Sequence, residues 1–163
     1  MSRQISELEG LLQQLIVEHN RLLQLVTKHE AAMKAFDLRA MDDIGREQDA
    51  SRLRIVSMEQ RRRLIVLAIA KSRNIQGEPT LRQLAALFPE QSNSLLSLRT
   101  ELKQVVEQIS LRTYVGGKVA GAVLGHLNTV VRLVAGAVER AGLYTKSGIP
   151  KMSSRIGGLE AVG

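Results

Sequence analysis

The sequence predicts an all-α protein: an elongated antiparallel bundle, or coiled coil, of three long helices and one short one, ending in a flexible C-terminal tail. Three observations predict it. Apolar residues recur every three or four positions over long stretches, the period of one helix face. Aromatic residues are 2% of the 163 and tryptophan is absent, so Leu, Val, Ile and Ala fill the interior, as suits narrow seams between helices. Glycines, prolines and capping residues fall between the periodic stretches rather than at random.

The first segment carries the strongest pattern. Ile5, Leu8, Leu12, Leu15, His19, Leu22, Val26, His29, Met33 and Phe36 alternate by three and four without a break, and Leu11, Leu23 and Leu25 widen the stripe. About 35 residues at ~1.5 Å rise make a rod of roughly 50 Å, which needs a partner along its length. The run "FDLRAMDDIGREQ" reads as a turn, with Asp37 able to cap the second helix. The second seam is Ile44, Gln48, Ser51, Ile55, Met58, Arg62, Ile65 and Ile69, interrupted by three polar positions and strongly apolar only from Leu64 to Ala70. "RNIQGEPT" ends it, with Gly77 and Pro79 as breakers.

"TLRQLAALF" predicts the short helix, since Thr80 and Gln83 stand at capping-box spacing and can satisfy two orphan backbone donors. Pro89 closes it or opens the next helix. The last helix is expected from about Gln91 to Ala141, on the seam Leu95, Leu98, Leu102, Val105, Ile109, Arg112, Gly116, Val119, Val123, His126, Val130, Leu133, Ala137. From Ala120 a second seam joins it: Leu124, Leu127, Val131, Val134, Val138, Ala141. The final turns are therefore apolar over a wider arc than one partner helix covers. Gly117, Gly121 and Gly125 recur every four residues, a spacing that would admit a neighbouring backbone or weaken the helix. Gly142 falls where a C-cap glycine belongs. The expected division is a helical domain over residues 1–142 and a non-helical tail over 143–163.

Composition narrows the function classes. With no cysteine, no disulfide or thiolate chemistry is possible, and a reducing compartment fits. The polar start "MSRQISELEG" is not a signal peptide, and the apolar run 114–138 is broken by Lys118, His126, Asn128 and Arg132, so stable membrane insertion is not expected. The formal net charge of +7 is spread along the chain, with its densest point at Arg61-Arg62-Arg63. That triplet keeps a nucleic-acid-binding helical protein open as an alternative, although no aromatics interleave with it.

Catalytic patterns are wanting. His19, His29 and His126 all sit on seams, without the carboxylate–histidine spacing of a metal site. Asp42 and Asp43 are adjacent, so they point apart on a helix and cannot pair as acid and base. "GGKV" lacks the remainder of a phosphate loop. An enzyme, a metal and a cofactor are therefore not expected. Binding by helix is, because the double seam over residues 119–141 has the chemistry of a groove for an amphipathic helix. A structural coiled-coil oligomer, with that seam buried against a second copy, is the other reading of the same residues.

Several stretches, in chain order, resemble the FlgN-type flagellar export chaperones. "ELEGLLQQLIVEHNRLLQLVTKHEAAMKAFDLRAMDDIGREQ" is similar to that family's leucine-rich first helix and turn, and "REQDASRLRIVSMEQRRRLIVLAIA" to its charged second helix. "GEPTLRQLAALFPEQSNSLLSLRTELKQVVEQI" and "VVRLVAGAVERAGLYTKSG" are similar to its short helix and to its last helix with a tyrosine-bearing end. The resemblance implies a cytoplasmic chaperone for flagellum assembly and type III export. Its partners would be the hook-associated, hook–filament junction proteins and components of the export apparatus. Carried onto matching positions, the implied partner-binding residues are Val130, Leu133, Val134, Val138, Leu143 and Tyr144, with a hand-off role for Tyr144.

Overall fold

The computed structural model describes residues 2–140, which hold four helices: α1 (Ser2–Lys34), α2 (Leu38–Ser72), α3 (Leu81–Leu87) and α4 (Ser92–Arg140). Leu143, Tyr144 and Gly142 lie outside the described residues. The chain divides into two units, residues 1–120 and 121–163.

In the first unit the long helices form a bundle. α2 runs antiparallel to α1, as three ion pairs in reverse register show: Glu7 with Arg61, Glu18 with Arg54 and Arg21 with Glu47. α4 runs parallel to α1: Glu30 meets Arg112, and Met33 Cε lies 3.6 Å from where a Cβ on Gly116 would stand. The segment around α3 carries the chain from the end of α2 to the start of α4, so both lie beside the N-terminal half of α1.

The turns explain themselves locally. α1 ends in a Schellman motif: Phe36 N–H donates to Met33 O at 3.1 Å and Asp37 N–H to Ala32 O at 3.0 Å. Phe36 supplies the left-handed residue, with φ 56°. This corrects its reading as the last seam position. The helix has already stopped, and the ring is 52% exposed on the turn instead of packed between helices. α2 ends the same way around Asn74 (φ 54°), with Ile75 N–H reaching Ala70 O at 2.9 Å.

Asp37 accepts from Ala40 N–H at 3.0 Å and so caps α2. Asp37→Ala should cost about 1 kcal/mol of stability, the usual loss of such a cap, read as a lower urea midpoint with an unchanged slope. The capping box of α3 is complete, with Thr80 Oγ1 accepting from Gln83 N–H at 3.2 Å and Gln83 Oε1 from Thr80 N–H at 2.8 Å. Arg73 lies 4.9 Å over the Phe88 ring, tying the ends of α2 and α3 together.

The apolar core sits at one end of the bundle. Ile5, Leu8, Leu12 and Leu15 of α1 pack with Ile65, Val66 and Ile69 of α2, Leu84 and Ala85 of α3, and Leu95 and Leu98 of α4. Further along, the interior turns polar. Ser51 is fully buried and donates to Glu18 Oε1 at 2.6 Å, while Arg54 donates to the same oxygen at 2.8 Å. Those bonds, Arg54's foremost, hold the Glu18 carboxyl below the usual carboxylate range against the opposing effect of burial. Glu30 is buried too, with Lys34 donating to one oxygen at 2.6 Å and Arg112 at 3.8 Å from the other. The Lys34 bond is the main reason its carboxyl is also held low.

Candidate functional site

The sequence singles out the last turns of α4. No Asp, Glu, Lys or Arg occurs from residue 119 to residue 131, where Val, Leu, Ala and Gly predominate. A helix turns about 100° per residue, which places Leu124 and Val131 on one stripe and Val123, Val130 and Leu133 on the neighbouring one. The stretch stays helical despite Gly121 and Gly125. Thr129 contributes locally, its hydroxyl donating to Gly125 O at 3.0 Å.

The apolar side chains there are open. Leu124 is 66% exposed, Val130 40%, Val131 63% and Leu133 64%. Scattered exposed apolar residues are ordinary on a protein surface, whereas four on adjoining stripes of one helix, with Arg132 off to the side, make a broad apolar surface. Of the residues singled out from the sequence, Val130 and Leu133 thus share this face. Val134 and Val138 lie on the same helix, their side chains outside the described set, and Leu143 and Tyr144 lie beyond it.

The glycines differ from expectation. A Cβ built on Gly117, Gly121 or Gly125 meets nothing within 4 Å among the described residues, so their spacing serves no close backbone approach there. Gly116 is the one against a neighbour, where Met33 fills the space.

The cationic triplet is engaged in ion pairs, with Arg61 and Arg63 still exposed. Arg61 donates to Glu7 at 2.6 Å, joining α2 to α1. Arg62 donates to Glu59 at 2.8 Å and to Glu78 at 3.2 Å, and Arg63 lies 3.2 Å from the other oxygen of Glu78. Burial lowers the pKa of Arg62, but the two carboxylates outweigh it and hold it above the usual guanidinium value. These arginines link α2 to α1 and to the segment before α3.

His19 is half-buried and its Nδ1 lies 2.7 Å from Leu15 O, a structural histidine on the seam. No group of three or more potential metal ligands occurs among the described residues, and no described helix is long and apolar enough to cross a membrane. Sequence reading missed Glu30, whose Oε2 is buried without a hydrogen-bond partner. Its only local signal was Lys34 one turn on.

The family model described as FlgN protein matches residues 1–151. No curated protein and no solved structure matches the chain.

Proposed function

The chain belongs to the FlgN family, a family of flagellar export chaperones, and on that premise we propose that it binds hook–filament junction proteins in the cytoplasm before their export. The observation that carries the reading is the open apolar face of α4 at Leu124, Val130, Val131 and Leu133. Junction proteins assemble through terminal helices whose apolar faces must stay covered until they leave the cell. A client helix laid along α4 would bury those faces by helix-in-groove recognition, with anchors at i, i+3, i+4 and i+7.

The energetics suit a carrier. Burying a fully exposed Val or Leu contributes about 1.5–3 kcal/mol, and these side chains are only partly exposed, so each adds less. Association then loses several kcal/mol in rigid-body freedom and ordering. The remainder is small, so on these four side chains alone the contact is weak and reversible. Val134, Val138, Leu143 and Tyr144 extend the same contact on the family resemblance, and Tyr144 would serve hand-off to an export-apparatus component. The chemistry needs no cofactor, because covering and uncovering a helix forms no bond.

A second reading shares the observation: the same face could bury itself against a second copy. The nucleic-acid reading is less favoured, since Arg61, Arg62 and Arg63 each have a carboxylate within ion-pair distance. Titrating the purified chain against a purified junction protein tests the proposal. Association at micromolar concentration with one chain per client is the expected result. A chain that self-associates and ignores the client overturns it.

A further inference from the structure

The open face of α4 has a further stretch of the same chain within reach. Residues 149–163 read "IPKMSSRIGGLEAVG", and the client reading gives them no role. Residues 152–163 also lie beyond the stretch matched to the family. Their composition is patterned. Ile149, Met152, Ile156 and Leu159 follow one another by three, four and three, the spacing that lines one side of a helix. Lys151, Ser153, Ser154 and Arg155 fall between them, so apolar and polar positions are sorted. That is the chemistry an apolar helix face accepts. Both the face and this segment belong to the second unit, residues 121–163.

Length permits the contact. From Leu124 to Arg140 α4 rises about 24 Å at ~1.5 Å per residue. The chain from Arg140 to Ile149 spans up to about 30 Å when extended, so Ile149 can be set down anywhere along the face. Leu124 to Leu133 measures about 14 Å, and Ile149 to Leu159 about 15 Å at the same rise, so the two apolar stretches match.

Tethering decides the occupant. On its own four side chains the face holds a free partner weakly. A segment joined to it by a short linker meets it at an effective concentration of about millimolar. A contact with a Kd of about 1 mM is then occupied about half the time. A second copy would need millimolar protein for the same occupancy, against a net charge of +7 on each. Pro150, Gly157 and Gly158 lower the helix propensity of the segment, which keeps its contact weak enough to be displaced.

We propose that residues 149–163 fold back onto α4 and cover Leu124, Val130, Val131 and Leu133 while no client is bound. Resting on the reading of that face as the client site, the segment is a built-in competitor that a client must displace. Occupancy between one half and nine-tenths raises the apparent client Kd about two- to tenfold. Leu143 and Tyr144 precede the segment, so its displacement leaves them for the client.

The test uses the full isotope-labelled chain, alone and with a purified junction protein. Met152→Asp with Ile156→Asp removes two apolar anchors, and Ser153→Asp with Ser154→Asp makes the same charge change between them. Both changes lie outside the core of the bundle. In the chain alone, the first variant should shift the amide signals of Leu124, Val130, Val131 and Leu133, and the second should leave them in place. The differences should survive a roughly tenfold dilution. Calorimetric titration should give the first variant a client affinity about two- to tenfold tighter than that of the unaltered chain. Absence of shifts at those four residues, equal shifts from both variants, or differences that vanish on dilution, the mark of a second copy, would each overturn the proposal. Equal client affinity for the unaltered chain and the first variant would overturn the competition. A client that binds neither form while the shifts persist supports the fold-back and overturns the client reading instead.

Discussion

Replacing Val130 and Leu133 together by aspartate is expected to weaken client binding at least a hundredfold while leaving the helical bundle intact. Both side chains are already open, at 40% and 64% exposure, so a charge there keeps its water in the free protein. In the complex that water must go. An unpaired carboxylate pressed against a client's apolar face costs several kcal/mol, and losing two apolar anchors adds more. Each 1.4 kcal/mol is tenfold in affinity, so a hundredfold is a lower bound. Calorimetric titration gives the affinity, and circular dichroism on the same samples shows whether the fold holds. Unchanged affinity in a folded double variant would move the client site off this face.

The largest loss of stability is expected from Leu12→Ala. Leu12 is 0% exposed in the α1–α2–α3–α4 core, with Leu8 and Leu15 a turn away on either side. Truncating such a leucine removes its transfer free energy and leaves a cavity the neighbours only partly fill, about 3 kcal/mol in all. For a chain of this size that lowers the melting temperature by roughly 10 °C. Val17→Ala on the same helix, where the side chain is 69% exposed, should change stability by less than about 0.5 kcal/mol. Thermal scans of the pair check the contrast, and similar losses would mean that the core is not where the structure has it.

Much of this architecture is written in local patterns. The seam of α1 reads correctly from Ile5 to Met33 because a three–four alternation needs only the helix period. The Asp37 cap and the Thr80–Gln83 box read correctly because both partners lie within three residues. Phe36 was misread because the period runs on past the point where the backbone turns. Gln48 and Ser51 looked like weak seam positions yet are buried, since Glu18, distant in sequence, supplies Ser51's partner. The burial of Glu30 was not legible at all. It depends on α4 lying parallel to α1, and no spacing within one segment encodes that. The face proposed for the client falls between these cases. A second seam announces surplus apolar surface, while exposure at Leu124, Val130, Val131 and Leu133 is a property of the folded chain.

The ion pairs of Arg61, Arg62 and Arg63 bear on how the molecule behaves in a crowd. With each arginine of the densest cationic point paired to a carboxylate, the net charge of +7 is spread over scattered cations. At physiological salt such charges are screened beyond about 8 Å, too short a reach to hold a polyanion firmly. The same screening confines repulsion between two copies to close approach, where their like net charge opposes association. If the open face of α4 is the client strip proposed above, a like net charge on every copy would help keep that strip from pairing with itself.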